Sequence, residues 1–138
     1  MTIPDFCAHG WLPPGVHECT LESLEQVFVK SIGGSRRSRL FKALREHALD
    51  PVVRKFAEHI VVDGSFVSRK PEPGDVDLLV GLRKGTLQLI ATSARGSLIQ
   101  STLEGWRGRL IDVKRMIDGH AWDVGSLQYD HKLADLLG

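Results

Sequence analysis

Ile60-Val61-Val62-Asp63-Gly64-Ser65 and, after the nine residues 66–74, Asp75-Val76-Asp77-Leu78-Leu79-Val80 form the stretch whose reading decides the fold. Each half carries a short apolar run rich in valine and leucine, too short for a helix and bounded by turn residues, which predicts two buried strands. Asp63-Gly64-Ser65 breaks the first strand, and Lys70-Pro71-Glu72-Pro73-Gly74 is a turn-rich approach to the second.

Upstream the period changes from strand to helix. Leu21, Leu24, Val27 and Phe28 recur at helical spacing behind Thr20, a residue suited to an N-cap, with Glu22 and Glu25 placed early where the helix dipole favours acids. Gly33-Gly34 ends that helix. Ser35 can cap a second, in which Leu40, Leu44 and Ala48 mark one face, while Arg36, Arg37, Arg39, Lys42 and Arg45 read as a solvated face. Pro51 suits the first turn of a third helix over 52–58. Residues 1–20 hold Gly10, Pro13-Pro14 and Gly15, which forbid a continuous helix and predict an extended arm whose Ile3, Phe6, Trp11, Leu12 and Val16 need a surface to lie on.

Downstream, 86–93 reads as helix, 97–104 is ambiguous with helix favoured, and Arg109-Leu110-Ile111-Asp112-Val113 reads as a third strand. A last short helix is expected over 128–137. The expected architecture is α+β: an arm over 1–20, then a single domain over 21–138 in which a small mixed β-sheet packs against helices.

The totals agree with one globular domain. The chain has 138 residues, 42% apolar and 25% charged, near the averages for soluble proteins. Eighteen Lys+Arg against seventeen Asp+Glu leave a net charge of +1, so no global field steers nucleic acid or anionic lipid, and a nucleic-acid partner is not favoured. The apolar runs are far shorter than the ~20 residues of a membrane helix. No basic start precedes an apolar stretch, so a cytoplasmic home is expected, and two cysteines, Cys7 and Cys19, are too few for a disulfide scaffold.

Chemistry concentrates in the opening stretch. Side chains two apart share one face of a strand, so Asp75 and Asp77 project together while Val76 and Leu78 point the other way. Two carboxylates so placed repel, and a hard cation such as Mg²⁺ or Mn²⁺ relieves them; otherwise they are strand-end acids in water. Gly64-Ser65 at a strand end permits close backbone approach and offers N–H and hydroxyl donors to an anion, or is an ordinary turn. Asp112 adds an acid to a third apolar strand, where it holds metal or pairs with Arg109 or Lys114.

Apolar strand, Gly64-Ser65, a nine-residue loop, Asp75-Val76-Asp77 and a later strand acid together resemble the polymerase-beta-like nucleotidyltransferase superfamily. The arm Gly10-Trp11-Leu12-Pro13-Pro14-Gly15-Val16-His17 narrows the resemblance to a small bacterial subgroup of it. The resemblance implies a minimal nucleotidyltransferase fold in which Asp75, Asp77 and Asp112 hold Mg²⁺ (or Mn²⁺) and act catalytically, Gly64 and Ser65 hold phosphates of a nucleoside triphosphate, and Lys70 or Arg69 neutralises the leaving pyrophosphate. The chain departs from the pattern at Phe66-Val67-Ser68, where a small residue and a second glycine are usual, and a narrower phosphate pocket is expected there.

Two functions from different classes follow. The first is nucleotidyl transfer to an acceptor, with a partner protein of a toxin–antitoxin system as the acceptor that the resemblance implies and an oligomer as a further arrangement. The second is a degenerate fold that binds such a partner without catalysis. A third reading, zinc held by Cys7, His9, His17 and Cys19, is disfavoured by the one-residue spacing within each pair. His47, His59, His120 and His131 have no triad spacing, and Trp106 and Trp122 read as packing.

Overall fold

The computed structural model describes residues 3, 5, 10, 12, 13, 16–105, 110–118 and 133–135. Among them the chain runs β1 (Val16–Glu18), α1 (Leu21–Glu25, continued by a π-helical turn Gln26–Lys30), α2 (Ser35–Leu49), α3 (Pro51–Phe56), β2 (Ala57–Asp63), a 3-10 turn (Gly64–Val67), β3 (Val76–Leu82), α4 (Thr86–Thr92), α5 (Gly96–Leu103), β4 (Ile111–Asp118) and β5 (Leu133–Asp135). The α+β expectation holds. One five-stranded mixed sheet has the order β1-β5-β2-β3-β4, parallel at its two outer pairings and antiparallel at the two inner ones.

Local chemistry accounts for most of the boundaries. Thr20 and Ser23 form a reciprocal capping box, Thr20 Oγ1 accepting the Ser23 N–H and Ser23 Oγ the Thr20 N–H. Gly33 and Gly34 carry positive φ and separate α1 from α2; Gly34 takes the N-cap place expected of Ser35, which is the first helical residue. Asp50 Oδ1 accepts the Val52 N–H at 2.8 Å and so caps α3 ahead of Pro51. That helix stops at Phe56, short of the expected end, because Ala57 already pairs with Leu82 in the sheet.

The core lies between the helices and one sheet face. Ile60 and Val62 of β2, with Val76, Leu78, Val80 and Leu82 of β3, pack with Leu24, Phe28, Leu40, Leu44 and Val53 of the helices. The arm finds its surface there: Leu12 is fully buried, Ile3 packs against the core, and the Gly10 carbonyl accepts the Arg69 N–H at 2.9 Å. His47 of α2 is buried, and its Nε2–H donates to the Leu103 carbonyl at 2.8 Å, tying α2 to α5.

Two expectations need correction. The final helix over 128–137 is replaced at Leu133–Asp135 by β5, which supplies hydrogen-bond partners to the edge of β2; long-range pairing overrides local helical preference. Within the arm, 16–18 form β1 beside β5. Arg37 is not on a solvated face but fully buried. It falls on the same helical stripe as Leu40, Phe41, Leu44 and Ala48, and its guanidinium has backbone carbonyls to satisfy it there. Cys7, His9, Trp106, Trp122, His120, His131 and Arg109 lie outside the described residues.

Candidate metal centre

Strand register builds the acid cluster. Asp77 is the register partner of Asp63 on β2 and of Asp112 on β4, so three neighbouring strands carry acids at one level of the sheet. Asp75 precedes β3 by one residue and shares the Asp77 face by strand alternation. One carboxylate oxygen from each of Asp75, Asp77 and Asp112 lies within 4.8 Å of the other two. The structure therefore brings together the three acids singled out in the sequence, close enough to one another to hold a metal ion.

Asp77 is the innermost of them. Its Oδ1 is buried and lacks a hydrogen-bond donor. Burial and the neighbouring Asp75 charge push its carboxyl above the usual range, Lys114 opposes the shift and Asp112 adds to it. A desolvated carboxylate oxygen with no donor, facing two more acids, is the donor set a hard cation takes. Lys114 of β4 stands close to it, its Nζ 2.7 Å from Asp112 Oδ2 and 3.8 Å from Asp77 Oδ1.

Gly64 forms the other wall. Its φ of +78° lies in the left-handed region, and a Cβ there would drive into the Asp77 carboxylate, 3.0 Å from Cγ and closer still to Oδ2. Only glycine lets the backbone lie on that carboxylate. The Gly64 N–H donates to Asp63 Oδ1 at 2.7 Å, so that donor is already used within the turn.

The turn is held from α2. Arg37 donates from Nη1 to the carbonyls of Phe28 (2.9 Å) and Phe66 (2.7 Å), and from Nη2 to those of Ser68 (2.7 Å), Lys70 (2.6 Å) and, more weakly, Ser65 (3.4 Å). It also lies 5.4 Å from the Phe66 ring centroid. Burial lowers its pKa to about 10, which leaves it charged at neutral pH. Arg36 donates to the carbonyls of Pro73 and Gly74, immediately before Asp75. Two consecutive arginines thus fix both ends of the loop joining the Gly-Ser turn to the acids.

Sequence reasoning missed this clamp, although Arg37 lies three, four, seven and eleven residues before apolar members of α2, a spacing that already places it on the buried stripe. Phe66 is fully buried against Phe28, ring centroids 6.2 Å apart, so the departure at Phe66 fills the core rather than an open pocket. Lys70 is exposed and its N–H and carbonyl serve the loop, while Lys114 meets the acids. Of the four residues weighed for zinc, Cys19 is buried and His17 donates from Nε2 to the Pro13 carbonyl at 2.8 Å.

No described helix is long and apolar enough to cross a membrane. No curated protein and no solved structure matches the chain. A family model described as a family of unknown function, DUF6932, matches residues 4–126, nearly the whole chain, and the protein belongs to that family.

Proposed function

We propose that this protein is a Mg²⁺-dependent (or Mn²⁺-dependent) nucleotidyltransferase of the polymerase-beta-like kind, working in the cytoplasm on a nucleoside triphosphate and an acceptor on a partner protein of toxin–antitoxin type. The observation that carries the reading is the convergence of Asp112, from a strand 35 positions further along the chain, on Asp75 and Asp77, with Gly64 laid against Asp77. Sequence proximity alone explains the first pair; it does not explain the third acid.

Asp75, Asp77 and Asp112 would hold the metal, with the donor-less Oδ1 of Asp77 as its most desolvated ligand. The ion, when bound, neutralises phosphate charge and lowers the pKa of an acceptor hydroxyl. The Gly64-Ser65 turn, adjoining Asp77, would receive the phosphates, and the clamp from Arg37 keeps that turn from yielding as they bind. In the transfer, the acceptor oxygen bonds to the α-phosphorus, the bond from that phosphorus to the bridging oxygen breaks, pyrophosphate leaves with the electron pair, and the hydroxyl proton is released.

The test is transfer from α-labelled nucleoside triphosphates, with Mg²⁺ or Mn²⁺, to a co-expressed product of the neighbouring gene. Label on the partner with wild type and none with Asp77→Asn or Asp112→Asn supports the enzyme. Stable complex formation without label, unchanged by either substitution, supports the binding scaffold instead.

A further inference from the structure

Three carboxylates within 4.8 Å of one another repel, and the chain answers that repulsion with a side chain of its own. Lys114 follows Asp112 by two residues on β4 and is the extra residue where the register with β3 shifts, between the Leu78–Val113 and Leu79–Arg115 pairings. The ammonium reaches Asp112 at 2.7 Å and, across the strand boundary, Asp77 at 3.8 Å. One lysine therefore bridges acids from two adjacent strands, at the level where Asp75 completes the cluster.

The bridge is made to be reversible. The Lys114 side chain is 53% exposed and its Asp112 partner 42%, so water screens the pair and competes for both ends. The four-carbon stem can swing the ammonium into solvent while Asp112, Val113 and Arg115 on either side keep their partners on β3. Asp77 Oδ1, in contrast, is buried and takes no hydrogen bond from the lysine. The ammonium balances part of the charge and leaves the innermost ligand oxygen open.

We propose that Lys114 is a resident counter-ion that sets the threshold for cation binding at this cluster, holding Asp112 and Asp77 in the metal-free protein and withdrawing to solvent when a divalent ion is bound. This rests on the metal reading of the acids given above. A monovalent ion offers no more charge than the ammonium it would replace, whereas Mg²⁺ or Mn²⁺ offers twice as much and prefers several oxygen ligands. The lysine thereby selects divalent over monovalent cations as well as tuning affinity.

Titration of MnCl₂ into the full chain by calorimetry tests the exchange, with metal-free melting temperature as a second readout. An exposed pair of this kind is worth up to about fivefold in an equilibrium constant, so Lys114→Met binds Mn²⁺ about three- to fivefold more tightly than wild type. The same variant melts at a lower temperature without metal and gains more on adding Mn²⁺. Lys114→Arg keeps the charge and stays near wild type in both readouts. Mn²⁺ affinity of Lys114→Met equal to or weaker than that of a wild type that binds saturably overturns the counter-ion role and leaves the metal site standing. Absence of Mn²⁺ binding in wild type and variants alike removes the metal site and this inference with it.

Discussion

A methyl group at position 64 would have to share space with the Asp77 carboxylate, on a backbone whose φ of +78° already disfavours any side chain. Gly64→Ala is therefore expected to cost about 1–3 kcal/mol of stability in urea denaturation. It should also weaken Mn²⁺ binding, because relief of the clash displaces Asp77. Equal stability and equal metal affinity would contradict the close packing of turn on acid. His47 gives the pH dependence. Burial lowers its pKa, opposed in part by the hydrogen bond to Leu103 and the charge of Asp50. A histidine with a depressed folded pKa contributes stability that is present above its ordinary unfolded value and lost as pH falls through that value toward the folded one. Urea denaturation of wild type should thus show falling stability from pH 7 to pH 5, and His47→Gln a flatter profile over the same interval. Parallel profiles would mean that folding does not shift the His47 pKa.

Among the elements, α2 has a second task besides covering the sheet. Arg37 satisfies carbonyls of Phe28, Phe66, Ser68 and Lys70 with one side chain, and no shorter residue reaches them all. Arg37→Ala leaves several buried acceptors without donors beside a cavity, and a loss of at least about 3 kcal/mol is expected. Arg37→Lys, with three donors on one nitrogen, should lose less while still raising hydrogen exchange over 64–70. Unchanged exchange there in Arg37→Lys would show that the turn holds its own shape. This clamp also marks how far the sequence could be read. The two strands, the capped α1 and the Asp75/Asp77 pair were legible because their signals are local: alternation, capping residues, a short apolar run. Asp118 was not, although its carboxylate caps α4 by accepting the N–H groups of Gly85 (3.0 Å) and Leu87 (2.9 Å) from the far end of β4. The pairing of Lys114 with Asp112 was among the readings of the sequence, but β5 and the reach of Lys114 to Asp77 were not, since each depends on which strand lies beside which, and that is fixed only by tertiary packing.

At the scale of the whole molecule, the near-zero net charge conceals a local separation: acids gathered across β3 and β4, arginines of α2 turned to loop carbonyls. The sheet that gathers the acids depends on chain segments far apart in sequence, because β5 joins β1 of the arm to β2. Deleting residues 133–138 should strip the partner from the β2 edge, lower the melting temperature and promote aggregation, read by calorimetry and light scattering. A monomeric truncation of unchanged stability would mean that β5 contributes nothing to the fold. The central claim is that Asp75, Asp77 and Asp112 form one metal centre, and calorimetric titration of Mn²⁺ into wild type and Asp112→Asn tests it most directly, since Asp112 alone comes from another strand. Saturable binding in wild type, weakened at least about tenfold in a folded Asp112→Asn, is the result expected for loss of a direct ligand. Equal binding by the two proteins, or no saturable binding by wild type, would contradict it.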